Sequence, residues 1–246
     1  MKTICSILFL WFSLVGFVQS APQTFSSSGS KVSLLELYTS EGCSSCPPAE
    51  GWLNNFQQDK RLWKEFIPVA FHVDYWNYIG WSDRFSSSVY SLRQKKYAAQ
   101  NIVSAVYTPG VVLDGKEWRG WRFKRPLNLD KTKQVGRLTV DVDSDQVSSR
   151  FTTEQNNKQA FLNTVILGFD LTTVVQAGEN KGKELQHDFV VLGYERKAMK
   201  KTKNGYSLSS KMPEQSEISE KKGLAVWVDY EDDFRPVQAT GGWLEQ

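Results

Sequence analysis

The chain has 246 residues, of which 40% are hydrophobic and 23% charged, and thirty basic against twenty-seven acidic residues leave a formal charge of +3. This globular composition excludes disorder as the overall state, and the length suffices for one large domain or two modest ones. There is no dense basic stripe of the kind a nucleic-acid groove needs, so nucleic acid is not an expected partner.

The N-terminus carries Lys2, an apolar run from Ile4 to Val18, and then "FVQSAPQ" with small residues before Ala21. This pattern predicts a signal peptide over residues 1–20, cleaved to leave a periplasmic or secreted chain with no stable membrane insertion. Cleavage removes Cys5 and leaves Cys43 and Cys46, each with one partner within the molecule, in a compartment that permits disulfides.

"KVSLLELYTS" reads as a strand that delivers the chain to "SEGCSSCPPAE", residues 40–50. Two cysteines three residues apart admit a redox pair, a metal clamp or a structural staple. A loop this small stabilises by only about 2 kcal/mol, against about 4.7 for a hundred-residue loop, which makes an inefficient staple. Pro47 and Pro48 disfavour helical geometry just before them, so the next helix starts late and Cys43 falls in the turn ahead of it. Ala49, Trp52, Leu53 and Phe56 then recur on one helical face.

"FIPVAFHVDYW" is a second strand, and the helix between the two fits a parallel β-α-β crossover. A second helix follows, capped by Ser82 or Asp83, with Phe85, Val89 and Leu92 inward and "RQKK" outward. "AVYTPGVVLDGKEWRG" has the pattern of a hairpin turning at Asp114-Gly115.

"ELYTSEGCSSCPPAE" followed by "VYTPGVVLDG" resembles the thioredoxin superfamily. More narrowly, those segments with "FHVDYWNYIGW" and "AGENKGKELQHDFVV" resemble the exported bacterial family DUF1223, over residues 34 to 191. The resemblance implies an α/β thioredoxin-like domain over residues 31–130, a cis Thr108-Pro109 bond, and a Thr108 backbone contact to a bound peptide, with Pro109 shaping the loop. It brings no established substrate and no cofactor.

The chemistry expected of the pair is thiol–disulfide exchange with protein thiols or disulfides, Cys43 attacking and Cys46 resolving. It requires an exposed, ionisable sulfur at the mouth of the helix. Ser44 and Ser45 would solvate a thiolate or simply the turn. Glu36 and Glu41 are candidate proton acceptors for Cys46, against the commoner role of a paired or solvated glutamate. His72 and Asp74 alternate along the second strand and, with the cysteines, admit copper as a second candidate partner; structural hydrogen bonding of His72 and His187 is the commoner outcome, and no metal centre is expected. The tryptophan-rich stretch "DYWNYIGWSDRF" is expected in core and loop packing rather than in a groove.

From Gln134 the pattern changes to short strands: "GRLTVDVD", "VSSRFTT", "NTVILGFDLTTVV", "HDFVVLGY" and "GLAVWVDY". These predict a β-rich, antiparallel, sandwich-like domain over residues 134–246. The charge-rich segment 195–222 reads as a long hairpin loop. An exchange protein thus competes with a copper-delivery module and with a non-catalytic interaction protein that keeps an inert disulfide.

Overall fold

The structure, a computed structural model, describes residues 21–130, 132–154 and 157–245, so the leader expected over residues 1–20 lies outside the described residues. The first half supplies β1 (Gln23–Ser26), β2 (Ser33–Thr39), α1 (Pro47–Asn54), β3 (Phe66–His72), α2 (Ser88–Ala99), β4 (Gly110–Leu113) and β5 (Lys116–Glu117). The second half supplies β6 (Arg137–Asp143), β7 (Gln146–Thr152), β8 (Ala160–Phe169), β9 (Leu171–Val174), β10 (Glu184–His187) and β11 (Val190–Ala198). It ends with β12 (Lys200–Thr202), β13 (Gly205–Lys211), β14 (Lys221–Tyr230) and β15 (Asp233–Trp243). Short 3₁₀ segments cover Asn55–Gln58, Asp74–Ile79 and Gly120–Phe123.

The expectation of an α/β thioredoxin-like domain followed by a separate sandwich-like domain is corrected by the sheets, which make the protein mostly β. One eight-stranded sheet, in the order β15-β14-β8-β11-β3-β2-β4-β5, takes strands from both halves. The halves join where β3 meets β11 in parallel, with Val190 opposite Ala70 and the Ala70 amide donating to Phe189 O at 2.8 Å. A second sheet, β1-β6-β7-β13-β12, packs over one end, while β9 and β10 form a separate hairpin.

The physical reason lies in β8 and β14, which are buried on both faces. Ala225, Trp227, Val165 and Leu167 enter one core with Leu37, Phe71 and Tyr90 from the first half. Leu224, Val226, Val228 and Leu162 enter another with Leu138, Val140 and Phe151 from the five-stranded sheet. Strands covered on two sides read as continuous apolar runs, and covering them takes a contribution from each half of the chain.

The helix α1 begins at Pro47, the position where a missing N–H costs nothing, but its cap residue Cys46 is already helical at φ −79° and ψ −39°, so Pro47 does not keep it out of helical geometry as expected. The Asp114-Gly115 turn has both residues at positive φ, 51° and 69°, the conformation of a tight two-residue hairpin. The cap of α2 is Ser87, whose side chain accepts from the Val89 amide, not Ser82 or Asp83. Its buried face is also different: Tyr90, Arg93, Gln94 and Tyr97 point inward, while Val89 and Leu92 are half exposed. Arg93 is inside because Glu36 is there to meet it, and Gln94 because it donates to Tyr107 O at 2.7 Å. Segment 195–222 is no loop either, since it contributes β12, β13 and the ends of β11 and β14, and buries Met199 and Tyr206.

Candidate functional site

The parallel pairing of β2 with β3 sets Thr39 beside His72 at the carboxyl ends of the two strands. From Thr39 the chain turns through Ser40 to Cys43, whose amide donates to Ser40 O at 3.1 Å; the Cys46 amide then donates to Cys43 O at 3.1 Å. Cys43 and Cys46 form a disulfide with their Cα atoms 5.4 Å apart, and α1 starts at the next residue. The Ser45 hydroxyl lies 3.3 Å from the Cys43 sulfur.

The exposed sulfur that the sequence reading required is absent from this arrangement: Cys43 is 1% exposed and Cys46 0%, although Ser44 and Ser45 between them are exposed. The turn between β9 and β10 is fastened to the backbone around the pair. Asn180, itself buried, donates from Nδ2 to Glu41 O at 2.8 Å and to Cys43 O at 3.0 Å, and the Ser44 amide donates to the Glu179 carboxylate at 3.0 Å. Gly178, at φ 74°, brings this turn against Ile79 and Trp81, where an added Cβ would stand 3.1 Å from Ile79 Cδ1. The hairpin is also clasped to α1, since Asn54 donates to Gln186 O at 3.0 Å.

Behind the pair lies a buried acid–histidine cluster. Glu50, one helical turn beyond Cys46, accepts from Thr39 at 2.5 Å and lies 2.5 Å from His187 Nδ1. His72 Nδ1 lies 2.8 Å from Asp83, which also accepts from the Glu41 amide at 2.9 Å. Trp81 Nε1 donates to Glu41 Oε2 at 2.7 Å, and Glu41 Oε1 is 3.3 Å from His187 Nε2. Burial works against a charged His187, but Glu50 and Glu41 outweigh it and carry its pKa up to about 10. Burial likewise opposes the charged forms of His72 and Asp83, yet their mutual attraction raises the first and lowers the second. Burial alone would raise Glu50, and the His187 charge reverses that.

The other candidates separate. Glu36 accepts from Tyr97 at 2.6 Å, Arg93 at 2.7 Å and Tyr38 at 3.0 Å, deep under α2. Glu41 is buried in the cluster just described. The Thr108-Pro109 peptide is cis, and Trp76 Nε1 donates to Thr108 Oγ1 at 2.7 Å. Trp76 also approaches the cysteine turn, for an added Cβ on Gly42 would stand 3.1 Å from Trp76 Cβ. One tryptophan thus bridges the turn and the Thr108-Pro109 loop. Asp74 does not share a site with His72, because β3 ends at His72 and Asp74 turns to the Ser91 hydroxyl. Sequence reasoning missed Glu50, Asp83, Trp81 and Asn180. Glu50 left a signal in its helical spacing of four from Cys46. A cleft of about 580 Å³ beside α1 is lined by Pro48, Trp52, Asn55, Trp121, Arg122 and Lys124.

Fold and site together define a mixed-sheet protein with a covered disulfide at a helix N-terminus, backed by a buried charge cluster. The chain belongs to the DUF1223 family of proteins of unknown function, whose model matches residues 34–229. Its fold is similar to that of AGR_C_4864 from Agrobacterium tumefaciens, with a TM-score of 0.58 and 23% identity over 87% of this chain and 94% of that one. It is also similar to HBP35 of Porphyromonas gingivalis, with a TM-score of 0.55 and 12% identity over 89% of this chain and 76% of that one. No curated protein matches the sequence.

Proposed function

We propose that this protein is an exported thiol–disulfide exchange protein whose Cys43–Cys46 pair reacts after the β9–β10 turn lifts away. The observation that carries this reading is the seating of the pair. It lies directly ahead of α1, buried but flanked by exposed Ser44, Ser45 and Pro48, and a turn held through Asn180 and Glu179 is fastened to its backbone. A turn anchored by a few polar contacts opens at lower cost than a core does.

In the reduced state the Cys43 thiolate attacks a partner disulfide, forming a mixed disulfide and releasing one partner sulfur as a thiolate. The Cys46 thiolate then attacks the Cys43 sulfur, releases the second partner sulfur, and leaves the pair oxidised and the partner reduced by two electrons. Run backwards, the same steps oxidise a partner dithiol. The cleft along α1, with Trp52 and Trp121 on its wall, gives an extended partner an apolar surface beside the cysteines. The apolar leader expected over residues 1–20 supports export.

One observation favours a second reading, an inert disulfide in an interaction protein: both sulfurs are closed to solvent. Equilibration with glutathione buffers under native conditions separates the two. Exchange predicts a measurable potential, a mixed disulfide trapped by Cys46→Ser with an oxidised model protein, and none with Cys43→Ser. A pair that reduces only when the protein unfolds would establish the inert reading.

A further inference from the structure

Glu50, His72 and His187 come from three separate elements, α1, β3 and β10, and each offers one ligand atom within 4.8 Å of the other two. All three are buried. Two imidazoles and a carboxylate form a donor set suited to borderline first-row divalent ions, and buried groups of this kind hydrogen-bond, pair or bind metal.

Three polar atoms in this cluster, His72 Nε2, His187 Nε2 and Glu41 Oε1, are buried without a hydrogen-bond partner. His72 Nδ1 is held by Asp83, while His72 Nε2 is buried without a hydrogen-bond partner. His187 Nδ1 faces Glu50, and His187 Nε2 and Glu41 Oε1 face each other at 3.3 Å without a hydrogen bond between them. Each first contact is thus backed by an outer one: Asp83 behind His72, Glu41 behind His187, Thr39 behind Glu50, and Trp81 behind Glu41. A carboxylate behind a ligating imidazole fixes its tautomer and raises its basicity, which is the recurrent outer shell of histidine metal sites.

We propose that Glu50, His72 through Nε2 and His187 through Nδ1 bind a divalent transition-metal ion of the zinc class, with the two cysteines outside the coordination sphere. The ion takes the place of the proton between His187 and Glu50, whose 2.5 Å contact widens to admit it. Because His187 closes the β9–β10 hairpin, the bound ion pins that hairpin to β3 and α1.

The test uses the full chain stripped with a chelator, with Zn²⁺ as the probe. Calorimetry is expected to give one ion per chain, and His72→Gln or His187→Gln to weaken binding at least a hundredfold. Cobalt(II) added to the wild-type protein provides a readout that survives a misfolded variant. The expected spectrum has ligand-field bands without a thiolate-to-metal charge-transfer band, and is unchanged in the Cys43→Ser, Cys46→Ser double variant. Absence of stoichiometric binding, a thiolate charge-transfer band, or binding that persists in a folded His72→Gln protein would overturn the proposal. None of these outcomes depends on whether the disulfide exchanges.

Discussion

Asn180 Nδ2 reaches the carbonyls of both Glu41 and Cys43, at 2.8 and 3.0 Å, so one side chain ties the β9–β10 turn to the backbone on which the disulfide is built. Removing it tests whether the turn controls access. At about 1 kcal/mol net per hydrogen bond, Asn180→Ala lowers the cost of opening by about 2 kcal/mol, and native-state reduction by a soluble phosphine should accelerate roughly thirtyfold. An unchanged rate would mean that the turn does not limit access.

Glu36 holds Arg93 in a fully buried pair, with Tyr38 and Tyr97 on the same carboxylate. Breaking such a pair leaves the other charge uncompensated, so Glu36→Gln should cost about 3–5 kcal/mol in denaturant unfolding. The reactivity of the reduced cysteines should not change with it. A selective slowing of Cys46 resolution in Glu36→Gln would restore this glutamate as a proton acceptor.

Glu117 accepts from Tyr107 at 2.5 Å, from Arg119 at 2.7 Å and from the Ser104 amide at 3.0 Å, clipping the segment that leads into Thr108-Pro109 onto β5. Partial burial would raise its carboxyl, but these donors outweigh it and bring the pKa to about 2. A folded-state pKa below the unfolded value gives stability that is present above roughly pH 4.3 and is lost as pH falls toward the folded pKa. Glu117→Gln should therefore flatten the acid limb of a stability–pH curve over that window. An unaltered limb would show that the clip contributes nothing to folding.

Trp227 of β14 packs against Phe71 of β3, with ring centroids 6.5 Å apart, and its indole lies 5.0 Å from the Arg93 guanidinium. The core of the first half is therefore completed by the second. A fragment spanning residues 31–130 should show no cooperative unfolding transition, because β3 and α2 would expose the faces that β11 and β14 cover. A sharp calorimetric transition from that fragment would show instead that the first half folds alone.

Much of the local structure was legible because it depends on neighbours in sequence. Pro47 and Pro48 set where α1 starts, Asp114-Gly115 sets a hairpin, and period-two alternation exposes β6 and β7. The inward face of α2 was not legible. Arg93 and Gln94 belong on a wet face until Glu36 and Tyr107, 57 and 13 residues away, supply partners for them inside. The strands β12 and β13 were hidden for a similar reason, since their charged outer residues mask Tyr206, which needs the five-stranded sheet to be buried.

By itself the sequence determined the family, the position of the two cysteines ahead of a helix that opens on prolines, and the strand character of both halves, all of which rest on local chemistry. Only the tertiary structure decided that the halves share one sheet, that the β9–β10 turn is fastened to the backbone carrying the disulfide, and that Glu50, His72 and His187 meet. Those outcomes depend on long-range pairing, β3 with β11 and α1 with the hairpin, and contacts between residues more than a hundred positions apart leave no periodic trace along the chain.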